Sequence, residues 1–235
     1  YLTSEGVNLI MNQRDPDRIG VRDIKLDIMD RFMKKDPVVR IQYAAKYAGV
    51  SNAWKKWQGE ILGLKKNNAV EKKKQFELAF QKWAEQNNLW ESKYREVLAG
   101  LQASQSAYAP FIRASDYYTE IVTNGIEVFS LAKTIQDNLK LMQNPKEVTP
   151  EWRNALLRQA ERFYREGYQP LDEELFVRLL PVLNGKVDPA FLPEHFKTFM
   201  AKNSSAAALS GIYQKSMLTD SARLFRMIRT VKADK

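Results

Sequence analysis

The stretch Asp36 to Trp57, DPVVRIQYAAKYAGVSNAWKKW, holds a start signal, a periodic apolar pattern and a stop signal in close succession. Asp36 is a good N-cap, and Pro37 suits the first helical position, where its missing N–H costs no hydrogen bond. Val38, Ile41, Ala45 and Ala48 follow at helical spacing. Gly49 is able to take the left-handed conformation that closes a helix, leaving Ser51 to cap the next one. The reading is two helices meeting at a sharp corner, with Asn52 on the first turn of the second. From physics alone, capping explains an amide at such a place more readily than a ligand contact does.

Outward from this corner the chain stays helical. Pro16 to Lys35 carries Val21, Ile24, Ile28 and Phe32 on one stripe, and Asp36-Pro37 ends it; the residues before it read as an irregular lead-in. Ser51 to about Gln86 forms one long helix or two nearly collinear ones, with Trp54, Trp57, Ile61 and Leu64 early, Phe76, Phe80 and Trp83 late, and a possible break at Lys66 to Asn68. Asn88 opens a further segment whose stripe of Trp90, Tyr94, Val97 and Leu101 is expected inside, until Pro110 interrupts or kinks it. A second half then runs from Phe111 to Met142. These long patterns predict antiparallel helices packed as a hairpin or coiled-coil-like arm. Thr149-Pro150-Glu151 restarts helix formation and Gly167 closes it. Shorter helices follow at Asp172 to Leu183, Pro193 to Lys202 and Thr219 to Val231, separated by Asn184-Gly185 and by Asn203 to Ser210, a helix entry or a loop. Strand signals are scarce. The expectation is an all-α fold: a lead-in at 1–15, a long-helix part at 16–145 and a shorter-helix part at 146–235.

The chain has 235 residues, 44% of them hydrophobic, enough to fill a core. No run approaches the roughly 18 apolar residues of a membrane span, and the N-terminal residues lack a secretion-signal pattern. A tyrosine start points to a piece of something longer. The absence of cysteine removes disulfides and thiolate chemistry. A formal charge of +9 raises the prospect of an anionic partner, but the lysines and arginines are mixed with acids, as on solvated helix faces. His195 is the one histidine and has no serine in an exposed elbow nearby. Phosphate-binding glycine loops and metal-ligand spacings are missing, so no cofactor is expected. Glu173-Glu174 is ordinary first-turn charge. Gly59 and Gly63 suit close helix approach. Trp54 and Trp57 beside Lys55 and Lys56 match either core packing or a stacking platform for single-stranded nucleic acid. Residue chemistry alone yields no self-sufficient active site.

The run DPVVRIQYAAKYAGVSNAWKKW, with YLTSEGV before it, RDIKLDIM between and YQKSMLTDSARL late in the chain, resembles the helical insert of the bacterial exo-acting serine dipeptidyl-peptidases typified by dipeptidyl-peptidases 7 and 11. The resemblance implies a chymotrypsin-like double β-barrel carrying the triad elsewhere in a parent chain, with this part as an α-helical cap roofing its cleft. It further implies a periplasmic or cell-surface enzyme that removes dipeptides from free N-termini, with no nucleic-acid partner. The family's amine-binding asparagine falls on Asn52, with Tyr47 and Trp54 as wall residues. Relatives often carry an aromatic residue and an asparagine where this chain has Ala53 and Lys56. Read without the resemblance, a basic nucleic-acid-binding module or a helical adaptor remains open.

Overall fold

The computed structural model describes residues 2–141 and 148–230. Among them every regular element is helical. In chain order these are α1 (Ser4–Leu9), α2 (Asp15–Lys35), α3 (Pro37–Lys66), α4 (Ala69–Gln86), α5 (Arg95–Tyr118), α6 (Glu127–Leu141), α7 (Pro150–Glu166), α8 (Gln169–Lys186), α9 (Glu194–Lys202), α10 (Ala206–Lys215) and α11 (Ser221–Thr230). Wider π-helical turns at Ile10–Arg14, Trp90–Tyr94 and Thr119–Thr123 lead into α2, into α5 and out of α5. The ends of the helices expected at Met142 and Val231, and the boundary expected between residues 145 and 146, lie outside the described residues.

The lead-in is helical rather than irregular. Thr3 caps α1 through the Gly6 N–H, and buried Glu77 of α4 accepts from both Ser4 N (2.8 Å) and Ser4 Oγ (2.7 Å). This anchor is tertiary, so the local sequence gives no sign of it. The anticipated arm is also assembled differently: α1 packs against both α4 and α5, while the antiparallel pair is α2 with α3. Asp23 meets Trp54 and Arg18 lies over Trp57, a register in which one helix descends as the other rises.

No corner exists at Gly49. α3 runs unbroken from Pro37 to Lys66, and Asp36 caps it through Val38 N (2.8 Å). A glycine inside a helix costs only about 1 kcal/mol relative to alanine, which contact with α2 along the helix outweighs. The expected break at Lys66 to Asn68 is present, with Asn68 left-handed at φ 47°. Pro110, by contrast, lies inside α5, and the chain turns instead at Asn124-Gly125. A Cβ on Gly125 would come within 2.4 Å of the Ile121 carbonyl oxygen, so the turn excludes other residues. Asn184-Gly185 falls within α8. Thr149 caps α7 through Trp152 N, Gly167 ends it in an extended conformation, and Ser205 caps α10, which makes the Asn203 to Ser210 run a helix entry.

The main core gathers Val21 and Ile28 of α2, Val39 and Tyr43 of α3, Ile121 and Ile126, and the leucines of α8, with Leu209 and Tyr213 of α10. A smaller cluster joins Leu131 and Ile135 of α6 to Leu156 of α7 and Leu224 and Ile228 of α11. Phe76, Trp83 and Val97, assigned to inward stripes by their spacing, are exposed; Glu77 and Ala84 are the buried positions of α4.

Candidate functional site

α2 and α5 run side by side in the same direction, joined by a ladder of ion pairs. Asp116 takes Arg14 (2.9 Å) and Arg18 (2.5 Å); Asp17 takes Arg113 (2.7 Å) and the Tyr117 hydroxyl (2.9 Å). Further along, Glu120 binds Arg22 through Nε (2.9 Å) and Nη2 (2.8 Å). Lys25, 1% exposed, donates to the Glu120 carbonyl oxygen (3.2 Å) and the Asn124 carbonyl oxygen (2.9 Å) and lies 3.5 Å from the Glu120 carboxylate. Burial pulls the Lys25 ammonium below its ordinary pKa, against the opposing pull of Glu120.

α3 packs along α2 as well. Val39 and Tyr43 are its buried positions, and Tyr47 and Val50 pack partly against the same core. Tyr43 Oη donates to Glu127 (3.2 Å) and accepts from Tyr168 N (2.9 Å), which is why a tyrosine can be fully buried there. Trp54 Nε1 donates to Asp23 Oδ1 at 2.7 Å, and Trp57 lies 4.6 Å from the Arg22 guanidinium. Both tryptophans are thus engaged with α2.

The periodic set Val38, Ile41, Ala45 and Ala48 therefore marks the outer face of α3, not its core face. Val38 and Ile41 are 62% and 78% exposed, Ala45 and Ala48 are exposed, and the stripe continues through Asn52 and Gly59 to Leu62, 67% exposed. A Cβ on Gly49, Gly59 or Gly63 would meet nothing within 4 Å, so the close helix approach expected at Gly59 and Gly63 does not occur among the described residues. Asn52 is exposed in mid-helix, in place of the first turn of a new one. With about 100° per residue, Tyr47 and Trp54 lie about 140° and 200° around the helix from it. The structure does not bring the three onto one face; Tyr47 and Trp54 back the helix that displays Asn52.

A cleft of about 560 Å³ opens one turn before Asn52, lined by Arg22, Lys25, Lys46, Gly49, Val50 and Glu127 among others. Its inner cations are already matched, Arg22 and Lys25 by Glu120 and Lys46 by Glu127 at 2.6 Å. His195 is exposed on α9, and no group of three or more His, Asp or Glu among the described residues is placed to hold a metal. No helix among them is long and apolar enough to cross a membrane. Arg22 and Asp23 head the run RDIKLDIM but, like Glu120, have no role assigned from the sequence. The four-residue spacing of Arg14, Arg18 and Arg22 is a visible basic stripe, but its partners lie far away along the chain.

The family model described as peptidase S46 matches residues 1–235. An Asp/Glu-specific dipeptidyl-peptidase of Flavobacterium psychrophilum is 33% identical over 94% of this chain, and a dipeptidyl-peptidase 7 of Porphyromonas endodontalis is 30% identical over 93%. The crystal structure of Porphyromonas endodontalis DPP11 superposes over the whole chain with a TM-score of 0.80 at 21% identity, a likeness of fold. The chain spans 31% of the first of these relatives and 33% of the DPP11 chain.

Proposed function

From the membership of this chain in the peptidase S46 family, we propose that it is the substrate-capping and amine-recognition part of a serine dipeptidyl-peptidase that acts on free peptide N-termini. The observation that carries the reading is the outer face of α3: an exposed apolar and small-residue stripe with one amide, Asn52, in its middle and free of partners among the described side-chain hydrogen bonds. Three large apolar side chains held in water on one helix face suit a surface that another body covers. The remaining two-thirds of a parent of the relatives' length is that body, a chymotrypsin-like half that supplies the triad. A periplasmic or cell-surface location belongs to the same reading.

An enzyme that releases dipeptides must measure from the substrate ammonium to the scissile bond. Two extended residues span about 7 Å. An amide oxygen fixed above the cleft sets that distance with a charge-assisted hydrogen bond and does not titrate. Ala48 and Gly49 beside Asn52 leave room for a peptide backbone to approach. A DPP11 that shares this fold over 34% of its own chain was crystallised with the dipeptide Arg-Glu, which supports a short-peptide substrate for the parent. The nucleic-acid alternative loses its stacking platform, because Trp54 and Trp57 are packed against α2.

Asn52→Ala in the full-length parent is expected to lower kcat/KM for dipeptidyl substrates with a free amine by about 1.5–3 kcal/mol, the worth of a hydrogen bond to a charged group. The same substrates N-acetylated should show no such difference between the two proteins. Unchanged kinetics on the free-amine substrates would remove Asn52 from the site.

A further inference from the structure

Local sequence holds the turn of Asn52 poorly. Gly49, three residues earlier, is a low-propensity position in a long helix, and a Cβ there would meet nothing within 4 Å, so nothing packs against that side of the turn. A ruler for an ammonium group has to be stiffer than that, since a displacement of about 1 Å at a reacting site can cost on the order of 100-fold in rate.

Two adjacent residues of α2 supply the stiffness. Arg22 Nη1 donates to the Val50 carbonyl oxygen at 3.0 Å and reaches that of Gly49 at 3.5 Å. Asp23 accepts from Trp54 Nε1 at 2.7 Å. Residues 50 and 54 are one turn apart on the side of α3 that meets α2, and residue 52 lies about 200° around from residue 50. The two grips therefore seize the helix from behind, two residues before and two after Asn52, and leave the amide facing outward.

Arg22 is itself held. Nε and Nη2 are spent on Glu120, Trp57 lies against its guanidinium, and Lys25 donates to the Glu120 carbonyl oxygen and lies 3.5 Å from its carboxylate. A continuous run of contacts thus leads from the buried turn after α5, through Glu120 and Arg22, to the backbone under Asn52. Only an arginine can grip a carboxylate with two nitrogens while a third donates to a carbonyl; lysine has one nitrogen for both tasks.

We propose that Arg22 is a positioning residue for amine recognition, fixing the Gly49–Val50 carbonyls against Glu120 so that Asn52 stands at a set height over the cleft, with the Asp23–Trp54 bond as the second grip. This rests on the reading of Asn52 given above. The test is a double-mutant cycle in the full-length parent on a free-amine dipeptidyl substrate. Arg22→Lys, which keeps the charge beside Glu120 but loses the fork, should lower kcat/KM about 10- to 100-fold. In the Asn52→Ala background the same change should matter by less than about 2-fold, because the group being positioned is gone. Trp54→Phe, which keeps an aromatic ring of smaller size and removes the N–H, should show the same pattern at several-fold size, and it carries the test alone if Arg22→Lys does not fold. A merely structural arginine would give equal factors in both backgrounds, and that overturns the proposal. So does an unchanged rate for Arg22→Lys while Asn52→Ala is impaired, which leaves the amine site standing. No loss with Asn52→Ala overturns both.

Discussion

Replacing Glu120 by alanine is expected to cost the fold about 3–5 kcal/mol, because it strands two cations taken out of water by burial. Lys25 has 1% of its side chain exposed and Arg22 13%, and both use this one carboxylate. The converse change should be far milder. Lys25→Met removes a charge that burial already disfavours and leaves Glu120 paired with Arg22, so the loss should stay near 1–2 kcal/mol, mostly from the two carbonyls that lose their donor. Urea unfolding of the two variants reads the asymmetry. Equal losses would mean that the network is not organised around Glu120.

Asp172→Ala is expected to cost about 3 kcal/mol at pH 7. This carboxylate, buried on the first turn of α8, accepts from the backbone N–H groups of Glu127 and Val128 at the start of α6 and from Tyr213 Oη (2.9 Å) on α10. One side chain thereby ties three helices, and its loss leaves three donors buried. Burial, aided by the nearby Glu127 charge and opposed by those hydrogen bonds, pushes the Asp172 carboxyl up to about 6. Between about pH 4 and 6 the folded state keeps a proton that the unfolded chain has released, so this group's contribution falls as pH rises through that window. The penalty of Asp172→Ala should accordingly be larger at pH 5 than at pH 7. A penalty under 1 kcal/mol, or one larger at pH 7 than at pH 5, contradicts this account.

Helix class and many boundaries were legible because their signals are local. Asp36 and Thr149 cap the helices their positions announce, and Asn67-Asn68 break the chain where expected. Gly49 misled because a stop signal of about 1 kcal/mol competes with packing along all of α2. The face of α3 misled for another reason. Val38-Val39 and Ile41 through Tyr43 offer two apolar stripes, and the choice between them depends on where Tyr43 finds Glu127 and the Tyr168 N–H. The same spacing that reads as a core face is here the face turned outward. Asn52 was singled out by resemblance to a family, since nothing in its spacing marks a ligand. Its supports were hidden altogether: Arg22 and Val50 are 28 residues apart and Arg22 and Glu120 are 98 apart, distances over which no local pattern carries information.

The placement of Asn52 is tested most directly by a crystal structure of the full-length parent with a dipeptide in its cleft. The account predicts the dipeptide ammonium within about 3.2 Å of Asn52 Oδ1, with α3 unbroken and Arg22 still on the Val50 carbonyl. An ammonium bound by other groups, with Asn52 turned to solvent, would contradict it.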